Sequence, residues 1–163
     1  MIGYLNRKQS QSVLDTNCFG HIGCNDGFNT YIYPTSYVFD GIHILCKSLP
    51  GAKIAIMRVN KRLCFQVDEI IDSMNWKSVM AMGDYEELED SRERYYAIKA
   101  FAAHSLRLKV SETALPPAGA NQHAPGNPAH EKQPIIYRIR LVEIYGRFEN
   151  GEWGVGRQQP PNI

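Results

Sequence analysis

Two cations, a hydroxyl and a glycine backbone meet around one corner of this chain. In "CKSLPGAKIAIMRVN", residues 46–60, an apolar run stops at Lys47-Ser48 and Pro50-Gly51 turns the chain. Lys53 then enters a new apolar-periodic stretch. A bound anion needs compact, convergent donors. Ser48 offers a hydroxyl, Gly51 and Ala52 offer backbone amides, and Lys47 and Lys53 add charge. If 51–60 is a helix, its first-turn amides are free and its dipole favours negative charge. A cation in that turn is mildly unfavourable, by well under ~1 kcal/mol when exposed, unless an anion compensates. Two readings follow: a capped helix with solvated lysines, or a phosphate site. The chain has no Walker A motif, and no G-x-G-x-x-G motif that would indicate a dinucleotide fold.

Other reactive residues are scattered. Cys18, Cys24, Cys46 and Cys64 include no C-x-x-C pair, and three of them lie in apolar, strand-like stretches, where a reduced cysteine acts as a small hydrophobe. His21 and Cys24 would make half a metal site at most, so no metal is expected. His104, His123 and His130 read as solvated. No acid–base pair or nucleophile triad stands out.

The 163 residues carry 18 Lys+Arg against 17 Asp+Glu. A near-neutral chain of this length has material for one core, and it lacks the charge excess that marks nucleic-acid or anionic-membrane surfaces. No apolar run approaches the roughly 20 residues of a membrane span. The start, "MIGYLNRKQSQSVLDTN", lacks the apolar stretch of a signal peptide, so the expected location is cytoplasmic.

The elements that must position the corner are mostly strands. Residues 6–16 read as a short polar helix, followed by the strand "CFGHIGC" and an Asn-Asp-Gly turn. In "TYIYPTSYVFDGIHILCKS", Asp40-Gly41 predicts a hairpin, with Tyr31, Tyr33, Thr35 and Tyr37 on one face of its first arm. Pro34 cannot donate to a ladder, so this arm is an edge, a bulge, or a place where a ligand meets exposed backbone. The stretch 51–60 predicts a helix, with a strand as the alternative. "RLCFQVDE" alternates as a strand. A polar link containing Asn75-Trp76 leads to the strand "SVMAMGDYEEL". Residues 86–106 predict an amphipathic helix with Leu88, Tyr95, Ile98 and Ala102 on its apolar face. Residues 111–134 hold five prolines and few large apolar side chains, an insert expected to be mobile or wrapped on the surface. "IIYRIRLVEIYGRF" closes the pattern as a strictly alternating strand. The expected fold is mainly β: one domain over 1–163, built as a small antiparallel barrel with flanking helices.

The order of these pieces is specific. "YIYPTSYVFDG", the strand ending at Lys47-Ser48, Gly51-x-Lys53, "NKRLCFQVDE", "NWKSVMAMGDYEEL" and the closing "YRIRLVEIYGRFE" together resemble the pyridoxamine 5′-phosphate oxidase-like family. The nearest branch is that of the nitroimidazole-resistance (Nim) flavoproteins. The resemblance covers residues 17–90 and 135–149. It implies a six-stranded antiparallel split β-barrel, a homodimer, and FMN held without a covalent bond between subunits. Carried over, Lys47, Ser48, Ala52 and Lys53 hold the FMN phosphate, and Cys46 flanks the ribityl arm. Pro34, Thr35 and Ser36 lie along the isoalloxazine ring, with Trp76 and Ser78 near its edge. Two positions depart from the pattern. Lys47 replaces a histidine frequent in Nim-type sequences, and no arginine precedes Lys53, which removes one planar fork for phosphate.

Two functional classes compete. One is an FMN oxidoreductase that passes electrons from a reduced donor to a small oxidant; the cofactor carries the chemistry, which accounts for the missing triad. The other is a binding or sensor protein for FMN or haem without turnover. Oxidation of pyridoxamine phosphate itself is a third reading. It is disfavoured because the segment after Phe148 has no clear basic motif for a substrate phosphate.

Overall fold

The computed structural model describes residues 1–107 and 133–151. The expected insert at 111–134 lies outside the described residues apart from its last two positions, as do His123 and His130. The elements run β1 (Ile2–Leu5), α1 (Arg7–Thr16), β2 (Phe19–Asn25), β3 (Thr30–Phe39), β4 (His43–Ser48), α2 (Ala52–Val59), β5 (Arg62–Asp72), β6 (Asn75–Glu87), α3 (Ser91–Arg107) and β7 (Ile135–Asn150).

All strand pairings are antiparallel, in the order β1-β7-β4-β3-β2-β5-β6, and a further β6–β7 pairing closes the ring. Six strands therefore form a split barrel, and β1 hangs on β7 outside the ring. The turn chemistry is local. Asp40 Oδ1 accepts from the amides of Ile42 at 2.8 Å and His43 at 2.6 Å, while Gly41 takes φ +97°, a conformation that a side chain disfavours. Asn6 caps α1 reciprocally: its Oδ1 accepts from the Gln9 amide at 2.9 Å, and its own amide donates to Gln9 Oε1 at 2.8 Å.

The barrel interior is filled from alternate positions, with Ile22, Tyr37, Ile44, Phe65, Val67, Val79, Ala81 and Tyr137 among them. Leu14 of α1 plugs one end, and its carbonyl accepts the Tyr37 hydroxyl at 2.8 Å. Each fully buried Ile, Leu, Val or Phe among them contributes about 1.5–3 kcal/mol. Phe65 meets Tyr37 edge-on at 4.8 Å between ring centroids. A second, smaller core lies outside the barrel, where α3 packs Ala97 against Val38, Leu45, Leu88 and Ile136.

Five details differ from the reading of the sequence. Asn75 and Trp76 are not a link but the start of β6, paired with Asp72 and Ile70 across a tight hairpin. Glu86 and Glu87 belong to β6, and α3 starts only at Ser91, after Asp90 Oδ1 accepts from the amides of Arg92 and Glu93 at 2.9 and 3.0 Å. The buried face of α3 is Ala97, Ala100, Phe101 and His104, whereas Tyr95, Ile98 and Ala102 face water. His104 is thus buried, not solvated. Strict alternation along β7 fails at Val142: Met82 opposes Glu143 but Gly83 opposes Leu141. That bulge moves the inward phase from Ile139 and Leu141 to Ile144 and Gly146. Gly83 lets the strands close up there, since a Cβ on it would lie 2.7 Å from the Arg140 carbonyl oxygen.

Candidate functional site

The barrel opens along one seam. The β3–β4 ladder runs only from Phe39↔Ile44 to Tyr37↔Cys46. Beyond it, Lys47 and Ser48 pair with Ile136 and Ile135 of β7, and residues 30–36 pair with β2 alone. Among the described residues no strand covers the other edge of 30–36. Pro34 sits in this one-sided stretch, where a missing ladder donor is tolerated.

Helix α2 follows β4 after the corner and packs one face into the barrel core. Residues 51–60 settle as a helix because Ile54 and Met57 reach the barrel core together, three residues apart on one face. Its N-cap, Gly51, provides no side-chain cap. The Ser48 hydroxyl donates only to the neighbouring Leu49 carbonyl, at 3.2 Å. Lys53 is half-buried in the first turn of α2, two residues after the N-cap Gly51. Burial pushes the Cys46 thiol up to about 12 despite that cation, so Cys46 is a packing residue and not a thiolate.

The seam's inner wall holds Thr35, Cys46 and Tyr137, all buried. Ser48 shares the Cys46 side of β4 by alternation. Lys47 does not: it shares the Leu45 side, and its Nζ stands 5.6 Å from the centroid of the Phe101 ring on α3. Ser48, Ala52 and Lys53 thus flank the corner between β4 and α2, and Lys47 turns to the α3 side.

Pro34 and Ser36 point outward, and so do Trp76 and Ser78. Register links them in rows across the sheet. One row runs Pro34, His21, Gln66, Met80, Tyr145; below it Asp68, Ser78 and Arg147 align in the same order. Pro34 and the Trp76/Ser78 pair are thus three strand spacings apart, about 14 Å at ~4.8 Å per strand. This outer face is unusually apolar. Phe19, Ile32, Met80 and Tyr145 are 59, 70, 42 and 52% exposed. Trp76 donates its indole N–H to Glu149 Oε2 at 3.0 Å, and Ser78 Oγ lies 3.4 Å from Gln66 Nε2. A groove of about 410 Å³ beside Trp76 is lined by Ile70, Ile71 and Phe148.

Sequence reasoning missed Tyr137. In an alternating strand its phenol looks like core filling; the structure sets it opposite Cys46 with a buried hydroxyl that has no hydrogen-bond partner. Among the described residues no three His, Cys, Asp or Glu side chains gather as metal ligands. No described helix is long and apolar enough to cross a membrane.

A family model described as pyridoxamine 5′-phosphate oxidase matches residues 6–148. An uncharacterized protein of Rhizobium meliloti is 33% identical over 146 residues, covering 88% of this chain and 92% of that protein. Among solved structures, a FAD-binding protein of Mesorhizobium loti superimposes with a TM-score of 0.71 at 26% identity, over 93% of this chain and 98% of its own. A candidate 5-nitroimidazole antibiotic resistance protein of Bacteroides thetaiotaomicron gives 0.65 at 16% identity, over 91% and 87%, a likeness of fold.

Proposed function

The chain belongs to the pyridoxamine 5′-phosphate oxidase family, and from that premise we propose that it binds FMN and uses it as an oxidoreductase. The observation that carries this reading is the uncapped N-terminus of α2 at the mouth of the split, with the Ser48 hydroxyl and half-buried Lys53 beside it. Free amides, one hydroxyl and one cation suit a single phosphate monoester. The unpaired edge at Pro34, Thr35 and Ser36 offers backbone groups to a flat, hydrogen-bonding ring. A flavin bound there supplies hydride and electron transfer from a reduced donor to a small oxidant. The chain's own residues bind its phosphate, orient its ring and keep water from one side.

The outer face supports a reading of the assembly. Trp76 and Ser78 stand too far from Pro34 to touch the same ring within one chain. A twofold pairing of the apolar outer faces would place Trp76 and Ser78 of a second copy near it. The functional unit proposed is therefore a homodimer with FMN at the interface, in the cytoplasm.

FAD is a second reading, favoured by the Mesorhizobium loti structure, which is that of a FAD-binding protein. The two separate cleanly. Chromophore released by heat should run with FMN against flavin standards, and sedimentation should give a dimer. FAD would replace the cofactor assignment, and haem or no chromophore after reconstitution would overturn it. Steady-state oxidation of reduced nicotinamide with a nitroaromatic acceptor or dioxygen tests turnover. A yellow protein without turnover is a carrier or sensor.

A further inference from the structure

The β5–β6 ladder breaks once, close to its turn. Ile70 is opposite Trp76 and Asp72 is opposite Asn75, which leaves Ile71 as the extra residue of a bulge. In a regular strand, neighbouring side chains point to opposite faces. Here Ile70 and Ile71 line one groove together with Trp76 and Phe148, and both isoleucines stay exposed. Left in water, they add nothing to either core. A contiguous apolar surface of this kind marks a place of contact, and about 410 Å³ is the size of a small-molecule site.

The groove also has two carboxylates, and they are not equally engaged. Glu69 Oε1 accepts from Thr16 and Asn17 at 3.0 and 2.9 Å, and its Oε2 accepts from Lys77 at 3.0 Å. Glu69 and Lys77 thus offset each other. Glu149 is different. Trp76 lies opposite it in the β6–β7 ladder and donates its indole N–H to Oε2 at 3.0 Å, which orients the half-buried carboxylate in the groove wall. The indole is a neutral donor, so the carboxylate keeps its charge. Among the described residues no hydrogen bond or ion pair reaches Oε1, and the Met1 ammonium nearby donates to the Asn150 carbonyl instead.

We infer that this groove binds a compact apolar cation. A ring or short alkyl body lies against Ile70, Ile71, Trp76 and Phe148, and an ammonium sits on Glu149 Oε1. A carboxylate or phosphate at that end would meet like charge. A neutral hydroxyl can donate to Oε1, but a charge-assisted bond is the stronger one. The site stands on the groove alone, whereas its consequence rests on the flavin reading. The twofold pairing that brings Trp76 of a second copy to the ring brings this groove with it, so the cation would lie beside the isoalloxazine.

The test reads Trp76 fluorescence in a Trp153→Phe background, these being the two tryptophans of the chain. The probes are phenethylamine, 2-phenylethanol and 3-phenylpropanoate, similar in size and carrying a cation, a hydroxyl and an anion. In the apo protein the amine should bind about tenfold more tightly than the alcohol, and the anion most weakly. Glu149→Gln still accepts the indole N–H and should bring the amine down to the level of the alcohol, with the melting temperature unchanged. Ile71→Ser should weaken amine and alcohol alike. Equal binding of all three probes, no quenching at millimolar concentration, or an amine preference that survives Glu149→Gln would overturn the inference. In the FMN-loaded protein the amine should shift the visible flavin band, and an unmoved band would separate the groove from the flavin. Probes that fail on a protein that takes FMN strike the groove and leave the flavin reading standing. Amine binding by a protein that takes no FMN keeps the groove and ends the flavin reading. Should Glu149→Gln not fold, the order of the probes and Ile71→Ser decide.

Discussion

The β6–β7 seam and the β3–β4 seam are both antiparallel, and they end very differently. The first runs from Asn75↔Asn150 to Glu87↔Tyr137 with one bulge. The second stops after Tyr37↔Cys46 and leaves β3 half open. Along the closed seam Val79, Ala81 and Ile139 are buried without polar groups to satisfy. Beside the open one lie an uncapped helix and a half-buried lysine, and Tyr137, whose buried hydroxyl has no partner, stands where the closed ladder ends, opposite Cys46 of β4. The closed half supplies stability, and the open half spends part of it on a binding site.

Substitutions should separate the two halves. The largest effect belongs to the closed core. Phe65→Ala removes a fully buried ring in edge contact with Tyr37 and should cost about 3–5 kcal/mol of stability, read from urea unfolding. A loss under about 1 kcal/mol would mean that this core is not close-packed. Next is the mouth of the split. Lys53→Ala should weaken FMN by roughly 1.5–3 kcal/mol, the range for a hydrogen bond to a charged group, while the unfolding midpoint barely moves. Lys47→Ala, on the α3 side over Phe101, should weaken FMN less than Lys53→Ala does. Equal losses would return Lys47 to the phosphate.

The smallest effect is electrostatic and lies on the barrel surface. Arg138 holds the Glu86 carboxyl below its ordinary value, and Arg58 does the same for Glu87. A carboxylate with a lowered folded-state value adds stability above its unfolded value, near ~4.3, and loses it as pH falls through the folded one. Stability should therefore be flat from neutral pH to about 5 as far as these pairs go, and decline below that. These pairs face solvent and are screened, so Arg58→Ala should shift the acid limb only slightly. Chemical denaturation at several pH values checks both points.

Much of this architecture is legible in the chain. Alternation at Leu63, Phe65 and Val67, the Asp40-Gly41 turn and the short polar stretch at 6–16 are local signals, and each yields the element it promises. What stays hidden is non-local. β1 is too short to announce itself and is held by its ladder with β7 from Ile2↔Glu149 to Leu5↔Gly146. The bulge at Val142 leaves no mark on a strand whose two faces are both partly apolar. The buried face of α3 rotates away from Tyr95 and Ile98, because the surface it meets, Val38, Leu45 and Ile136, accepts small Ala97. At the site, the corner at residues 47–53 reads directly from residue types, but the opposite facing of Lys47 and Ser48 needs the α3 contact. The hydroxyl of Tyr137 needs the register of β4 and β7.

The central claim is that the mouth of the split holds a flavin phosphate. Titrating apo wild type and Lys53→Ala with FMN and with riboflavin, each followed by flavin fluorescence, tests it most directly. Wild type should prefer FMN by at least roughly 1.5–3 kcal/mol, and Lys53→Ala should lose most of that preference through weaker FMN binding, with riboflavin unchanged. Riboflavin binding to wild type as tightly as FMN would contradict the account, leaving the corner at residues 47–53 as no more than the start of a helix.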